Sequence, residues 1–391
     1  MSKLEELIQQ YCPDGVVYKK LGEVCNLSRG KVYSKSYIEE NAGEYPVYSS
    51  QTANNGELGR ISTYDYEGEY LTWTTDGAYA GTIFYRKGKF SITNVCGLIS
   101  VKGDNLLIKF LFYWLTIKAP DYVYRGMGNP KLMSNQMEPI PVPVPPLPVQ
   151  EEIVRILDNF AELQAELQAE LQKRLIQYNY YRDKLLTFSD INNRGGWNVS
   201  VEWKKLGDVC NFMNGKGHEK SIVENGKYIV VNSKFISTQG SVRKYSDQQI
   251  SPLFVGDVLL VMSDLPNGRA LAKCFIVDKD DQYTLNQRIC SLTVKNQNEL
   301  LPKYLFYIAN RNRQLLRFDN GVDQTNLKKD DILNILIPIP SIEEQQRIVD
   351  ILDRFDTLTN DITAGLPAEI EARRKQYEYY RDKLLTFKQK I

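Results

Sequence analysis

In 391 residues the chain has a single histidine, six scattered cysteines and no long apolar run, and each scarcity excludes something. With His218 alone, in NGKGHEKS, no H-E-x-x-H or Cys/His metal spacing can be assembled. A lone His in a loop of Gly, Lys and Glu reads as a solvated side chain. Cys12, Cys25, Cys96, Cys210, Cys274 and Cys290 include no C-x-x-C pair. They read as reduced, small apolar residues of a cytoplasmic protein, not as zinc ligands or a disulfide framework. No apolar stretch nears the roughly 20 residues a membrane-spanning helix requires. The opening MSKLEELIQQ is charged and amphipathic, unlike a signal peptide. The G-x-x-x-x-G-K-[ST] phosphate loop, the G-x-S-x-G elbow and the Asn-Pro-Pro-aromatic tetrapeptide of amino-methyltransferases are all missing; GKGHEKS and GNPKL (128–132) share only composition with them. No paired carboxylates stand out. The sequence therefore argues against an active site of its own, and no cofactor or metal is expected. A net charge of +1 neither announces nor excludes a nucleic-acid partner, since phosphate contacts need only a local basic surface.

What is present is repetition. QYNYYRDKLLTF (177–188) returns as QYEYYRDKLLTF (376–387), and KKLGEVCN (19–26) as KKLGDVCN (204–211). IPVPVPPLPVQEEIVRILDNF (140–160) is echoed by ILIPIPSIEEQQRIVDILDRF (335–355), and KFLFYWL (109–115) by KYLFYIA (303–309), in the same order. One plan is used twice. Each half opens near KKLG, closes on a proline-alternating strand, and continues into a long helix. The prolines keep the chain extended before each helix, and Ser341 with Glu344 forms a capping-box pattern. Apolar Ile153, Ile156, Leu157, Phe160, Leu163 and Leu167 recur at helical spacing. Runs such as YLTWTT, GTIFYRK, DVLLVMSD and AKCFIVDK read as strands, and LLIKFLFYWLTI as a helix. The expected fold is α+β: a first globular domain over 1–149, a long helix over 150–188, a linker over 189–200, a second domain over 201–341, and a second long helix over 342–391 with an interruption at Gly365 and Pro367. Two such helices bury themselves most simply by packing antiparallel, as a short coiled coil.

Residues 161–172 read AELQAELQAELQ. Such a repeat suits a helix that serves as a spacer. Each added tetrapeptide lengthens a helix by about 6 Å and turns its end by about 40°, while keeping the Leu163–Leu167–Leu171–Leu175 stripe in register. On composition alone, AELQ is also simply a good helix former.

Taken together, the two KKLG heads, the PLPVQEEIVRILDNF and PSIEEQQRIVDILDRF helix starts and the YYRDKLLTF ends resemble the specificity subunit of type I restriction–modification systems, over essentially the whole chain. The resemblance implies that each globular half is a target recognition domain reading one half of a split site in double-stranded DNA. It implies that the helices separate the domains and bind two modification (methyltransferase) subunits, that restriction subunits join that core, and that the chain itself is not catalytic. The AELQ number then becomes a ruler for the gap in the DNA site, since one base pair is about 3.4 Å and about 35° of twist. The two halves are not identical: Gln177 follows Phe160 by 17 positions, whereas Gln376 follows Phe355 by 21. The near-identity of the two YYRDKLLTF ends is expected if the same partner is bound twice, at Tyr180, Tyr181, Arg182 and Lys184 and at Tyr379, Tyr380, Arg381 and Lys383.

Base reading needs exposed polar side chains on loops. In the first domain the candidates are Ser50, Gln51, Asn54, Asn55 and Arg60 of SSQTANNGELGR, then Thr75, Asp76 and Tyr79, then Asn129 and Lys131. In the second they are Lys216, Asn232, Lys234, Asn267, Arg269, Arg288, Gln324 and Asn326. Rival readings are a stand-alone tandem DNA-binding regulator, a fused nuclease or methyltransferase, and an adaptor with no DNA partner.

Overall fold

A computed structural model describes residues 3–126, 128–188, 201–266, 268–361 and 364–390. The expected linker over 189–200 lies outside the described residues. The chain divides into two compact units: Met1–Gln168 with Glu369–Ile391, and Ala169–Ala368. The division cuts across both long helical stretches, and its first boundary falls inside the AELQ repeat. Within that repeat Leu163, Leu167 and Leu171 are half-buried, and none belongs to a core. Among the described residues no helix is long and apolar enough to cross a membrane.

In the first unit a six-stranded sheet runs in the order Cys25–Arg29, Cys96–Val101, Tyr66–Thr74, Ile83–Ile92, Ala42–Tyr48, Glu57–Ile61. All neighbours are antiparallel except Ala42–Tyr48, which lies parallel to Ile83–Ile92. The second unit repeats this topology in two four-stranded sheets. One has Cys210–Asn214, Ile289–Val294, Val258–Val261 and Cys274–Ile276 in order. In the other, Tyr228–Val231 lies parallel to Tyr283–Leu285. The single long strand Ile83–Ile92 thus corresponds to two short strands. The four runs expected as strands are strands, and Ile108–Lys118 is the expected helix.

The repeated motifs staple this frame together. The KK dipeptides sit in short strands that pair with the proline-alternating segments, Tyr18–Lys20 with Pro141–Pro143 and Glu202–Lys205 with Leu336–Ile339. Proline is tolerated there because each pairing forms only a two-stranded ribbon with open edges. Gln150 and Gln345, both fully buried, each make the same three bonds. The Gln150 oxygen accepts from Leu107 N (2.8 Å), and its amide donates to the carbonyls of Asn105 (2.8 Å) and Pro145 (2.6 Å). Gln345 does this with Leu301 N (2.9 Å), Glu299 (2.8 Å) and Pro340 (2.9 Å). Each bond set engages the buried amide of its glutamine in full and satisfies three backbone groups, of which the proline carbonyl is itself buried. Tyr113 and Lys109 both bond Asp158 (2.6 Å each), as Tyr307 and Lys303 do Asp353. This accounts for the K-x-x-x-Y spacing of the repeated helix.

The first long helix is Leu147–Thr187, 41 residues. It begins three residues before the expected start, with Pro148 in the first turn, where a missing N–H costs nothing. The second stretch is two helices, Ile342–Asn360 and Leu366–Leu384, broken where the sequence placed Gly365 and Pro367. Ser341 caps the former by accepting from Glu344 N (3.3 Å), while the Glu344 carboxylate turns to Arg347 (2.7 Å) instead of closing the box. Inside each unit two helix segments pack antiparallel. In the first, Ile153 and Leu157, near the start of one, share a core with Leu384 and Leu385, at the end of the other. In the second, Ile348 and Leu352 share a core with Leu185 and Leu186.

Candidate functional site

The candidate loops of each domain follow the ends of its strands, and the two domains can be matched strand by strand. Cys25 pairs with Val101 as Cys210 pairs with Val294, which makes Lys31 equivalent to Lys216, Thr93 to Asn286, Asp76 to Ser263, and Lys131 to Asn326. In the first domain Lys31 bridges to Thr93, whose N–H donates to Tyr48 O (2.8 Å). Ser50 Oγ accepts from Thr75 N (3.1 Å) and donates to Val95 O. Leu132 N donates to Thr75 O (2.8 Å), and Asp76 and Tyr124 both bridge to Lys131. The second domain repeats the pattern: Lys216 bridges to Asn286, Asn286 N donates to Val231 O (3.1 Å), Leu327 N to Met262 O (2.8 Å), and Ser263 pairs with Asn326. Gly30 and Gly215 permit the first of these contacts. A Cβ there would lie 1.9 Å from Ile92 O and 2.0 Å from Asn286 O. The sequence reading named Lys216 and missed Lys31. The signal was there: RGK and NGK stand at the same distance after the two VCN tripeptides.

The candidate residues occupy this cluster in unequal ways. Asn54, Asn55, Tyr79, Asn129 and Lys131 are exposed, as are Lys216, Lys234, Arg269, Arg288, Gln324 and Asn326. Lys131, Lys216, Lys234, Arg269 and Arg288 have no carboxylate partner among the described residues. Arg60 is held by Glu57 (2.8 Å), which raises its pKa. Lys31 is held by Asp65 (2.6 Å) and likewise titrates above its ordinary value. Burial pushes the Asp65 carboxyl up, but bonds from Lys31 and Tyr33 outweigh it and the net shift is downward. Thr75, taken as an exposed reader, is instead 1% exposed, and its hydroxyl donates to Val95 O (2.7 Å). It ties loops together. Ser50 and Gln51 are half-buried, the latter donating to Glu57 O. Asp76 is half-buried in its pairing with Lys131. Asn232 caps the helix Ser233–Ser237 by accepting from Phe235 N (2.9 Å), and Gln324 donates to Ser263 Oγ (2.7 Å). Asn267 lies outside the described residues.

His218 corrects an expectation. It is buried, at 1% exposure, not solvated. Its Nδ1 lies 2.8 Å from Lys216 O and its Nε2 2.9 Å from Thr284 Oγ1. A carbonyl can only accept, so Nδ1 carries the proton. Thr284 Oγ1 already accepts from Ser251 N (3.2 Å), leaving its own hydrogen for Nε2. The ring is a strut under the Lys216 loop. All six thiols are free; burial pushes Cys25, Cys96 and Cys210 up to about 12, which makes them unreactive.

At the helix ends the eight candidate partner residues form two matched sets. Tyr180 and Tyr379 are 61% and 62% exposed. Tyr181 stacks on Phe355 (5.7 Å, 24°) and Tyr380 on Phe160 (5.6 Å, 22°). Arg182 pairs with Asp183 (2.9 Å) and Arg381 with Asp382 (2.8 Å), while Lys184 and Lys383 are exposed. The rest of each motif turns inward: Leu185, Leu186 and Phe188 pack on one core, and Leu384, Leu385 and Phe387 on the other.

Comparison with known proteins agrees with this duplicated plan. The family model for the type I restriction modification DNA specificity domain matches twice, over residues 13–177 and 198–372. The chain is 32% identical over 365 residues to a type I specificity subunit of Mycoplasma pneumoniae, covering 93% of this chain and 96% of that one. It is 35% identical over 310 residues to the EcoR124I/EcoR124II specificity subunit of Escherichia coli, covering 74% and 73%. In fold it is similar to the S subunit of a type I restriction-modification system from M. genitalium, with a TM-score of 0.56 at 15% identity over 94% of both chains.

Proposed function

We infer the role of this chain from one premise: it belongs to the family of type I restriction–modification DNA specificity subunits. It is the DNA sequence-recognition subunit of such a complex. Each globular domain reads one half of a bipartite site through its loop cluster. The helices dock two modification subunits, which supply the methyltransferase chemistry, and restriction subunits join through that core. The chain contributes no catalysis, and the complex works in the cytoplasm, where its six free thiols stay reduced.

The observation that carries this reading is one loop cluster built twice on the same frame with different side chains at equivalent places. Thr93 faces Asn286 in the match, Asp76 faces Ser263, and Lys131 faces Asn326, while the staples beneath are the same residue types. A constant frame with variable tips suits two different half-sites. The constant outward residues, Tyr180 to Lys184 and Tyr379 to Lys383, suit one partner bound twice. We further propose that the AELQ repeat sets the gap between half-sites. A helix of 41 residues is about 60 Å long, and no core residue ties the repeat to a fixed length.

The test is to co-express the chain with its neighbouring modification subunit and map methylated adenines across a genome by single-molecule sequencing. The expected result is a split motif whose gap changes when one AELQ unit is deleted. A split motif with an unchanged gap removes the ruler alone. A folded complex with no motif removes the reading.

A further inference from the structure

Arg86 is a buried cation that none of the roles above uses. It lies on the strand Ile83–Ile92, facing inward at 3% exposure, with no carboxylate paired to it among the described residues. Its Nε donates to Thr72 Oγ1 (3.1 Å) and its Nη2 to Asn55 O (2.8 Å). Its guanidinium carbon stands 3.6 Å from the centre of the Tyr48 ring and 4.5 Å from that of Phe84. Burial lowers its pKa, which marks how little water reaches it. Burying an unpaired charge is costly, and aromatic faces and two bonds offset only part of that cost. An aliphatic side chain would fit such a place more cheaply. The second domain has an aliphatic residue there: by strand register the equivalent of Arg86 is Val277, 2% exposed within an apolar cluster.

What the first domain has in exchange is a bent loop above the guanidinium. Asn54 and Asn55 are both left-handed, with φ of 48° and 52°, and Gly56 follows at 79°. Consecutive left-handed residues are unfavourable and persist only where surroundings hold them. The Asn55 carbonyl is held by Nη2, and a Cβ at Gly56 would lie 2.9 Å from the same nitrogen. The side chains of Asn54 and Asn55 are left exposed beside Ser50, which joins this loop to Thr75 and Val95 of the candidate site.

We propose that Arg86 is a positioning residue for the first half-site: its guanidinium fixes the left-handed Asn54–Asn55 turn and thereby sets which bases the first domain accepts. This rests on the reading above that the domain contacts DNA. Lysine at this place would keep the charge but lacks the planar fork that reaches Thr72 and Asn55 together.

The test uses the full chain co-expressed with its modification subunit, as wild type, R86K and R86V, with methylation mapped by single-molecule sequencing and hydrogen exchange followed over residues 49–57. In both variants exchange in that segment is expected to rise at least tenfold. The first half of the motif is expected to lose base preference at one or more positions, with the gap and second half unchanged. T72V, which removes one anchor and no charge, gives a weaker change in the same direction and serves if R86V does not fold. Faster exchange with an intact first half-site overturns the proposal, as does an equal loss of both half-sites. A wild-type complex that yields no split motif removes the DNA reading itself, and the proposal falls with it.

Discussion

The two domains hold the same loop by opposite means. In the first, residues 49–56 lie over a buried guanidinium and bend through consecutive left-handed residues. In the second, the equivalent segment is a short helix, Ser233–Ser237, capped by Asn232 and seated on Phe235, which packs against Phe275 (5.1 Å) and Tyr283 (6.1 Å). Beneath both, the Gln150 and Gln345 staples and the Tyr–Asp bonds are the same. The difference teaches where a duplicated fold is free to drift. The frame is fixed by buried polar groups that must all be satisfied at once, whereas a loop needs only some support, polar or apolar.

The widest break in this comparison should come from the shared frame. Gln150→Ala or Gln345→Ala orphans one buried carbonyl, at about 1–3 kcal/mol, and two partly buried backbone groups, at about 1 kcal/mol each. Each substitution should therefore destabilise its own unit by about 3–5 kcal/mol, with matched effects in urea unfolding; a large mismatch would show that the staples are not equivalent. Next, Phe235→Ala opens a cavity in the second domain's apolar support at about 3–4 kcal/mol. Methylation mapping should then show the second half of the motif degraded and the first half intact. Smaller still, Asn232→Ala removes a helix cap worth about 1 kcal/mol, while Asn232→Gly should cost only a few tenths; thermal melting of the pair separates the cap from any loss of DNA contact.

The smallest effect is confined to acid. Bonds from Arg155 and Lys3 hold the Glu152 carboxyl down at about 2, although burial opposes them. Because its folded value lies below the ordinary one, this carboxylate contributes stability fully above about pH 4.5, and the contribution is lost as pH falls towards 2. Glu152→Gln should lower the melting temperature at neutral pH and flatten its fall across that acid window. An unchanged slope would show that the carboxylate does not contribute.

The plan of the fold was legible in the sequence because the duplication marks it twice: strand runs, helix starts and the break at Gly365 and Pro367 all stand in the letters. What the motifs do was not. YYRDKLLTF reads as an exposed end, yet Leu384, Leu385 and Phe387 complete a core whose other members, such as Val16 and Leu21, lie more than 350 positions away. No local pattern carries that distance. The candidate site was legible in its loops but not in its individual residues. Asn, Ser, Thr and Gln tie loops and cap helices with the same groups that read base edges. So Thr75, Asn232 and Gln324 turned out to be engaged within the protein, while His218 became a strut.

The way the first unit draws on residues 369–391 has a consequence for how the chain is made. Synthesis runs from the amino end, so the segment that forms the second unit, 169–368, is complete before the first unit receives its last helix. During translation Leu157 and Ile153 lack the share of their core that Leu384 and Leu385 supply, and a chaperone that shields apolar surface would meet the first domain longer than the second. A ribosome that stalls before Leu385 therefore leaves a product with one finished half and one that proteases can recognise.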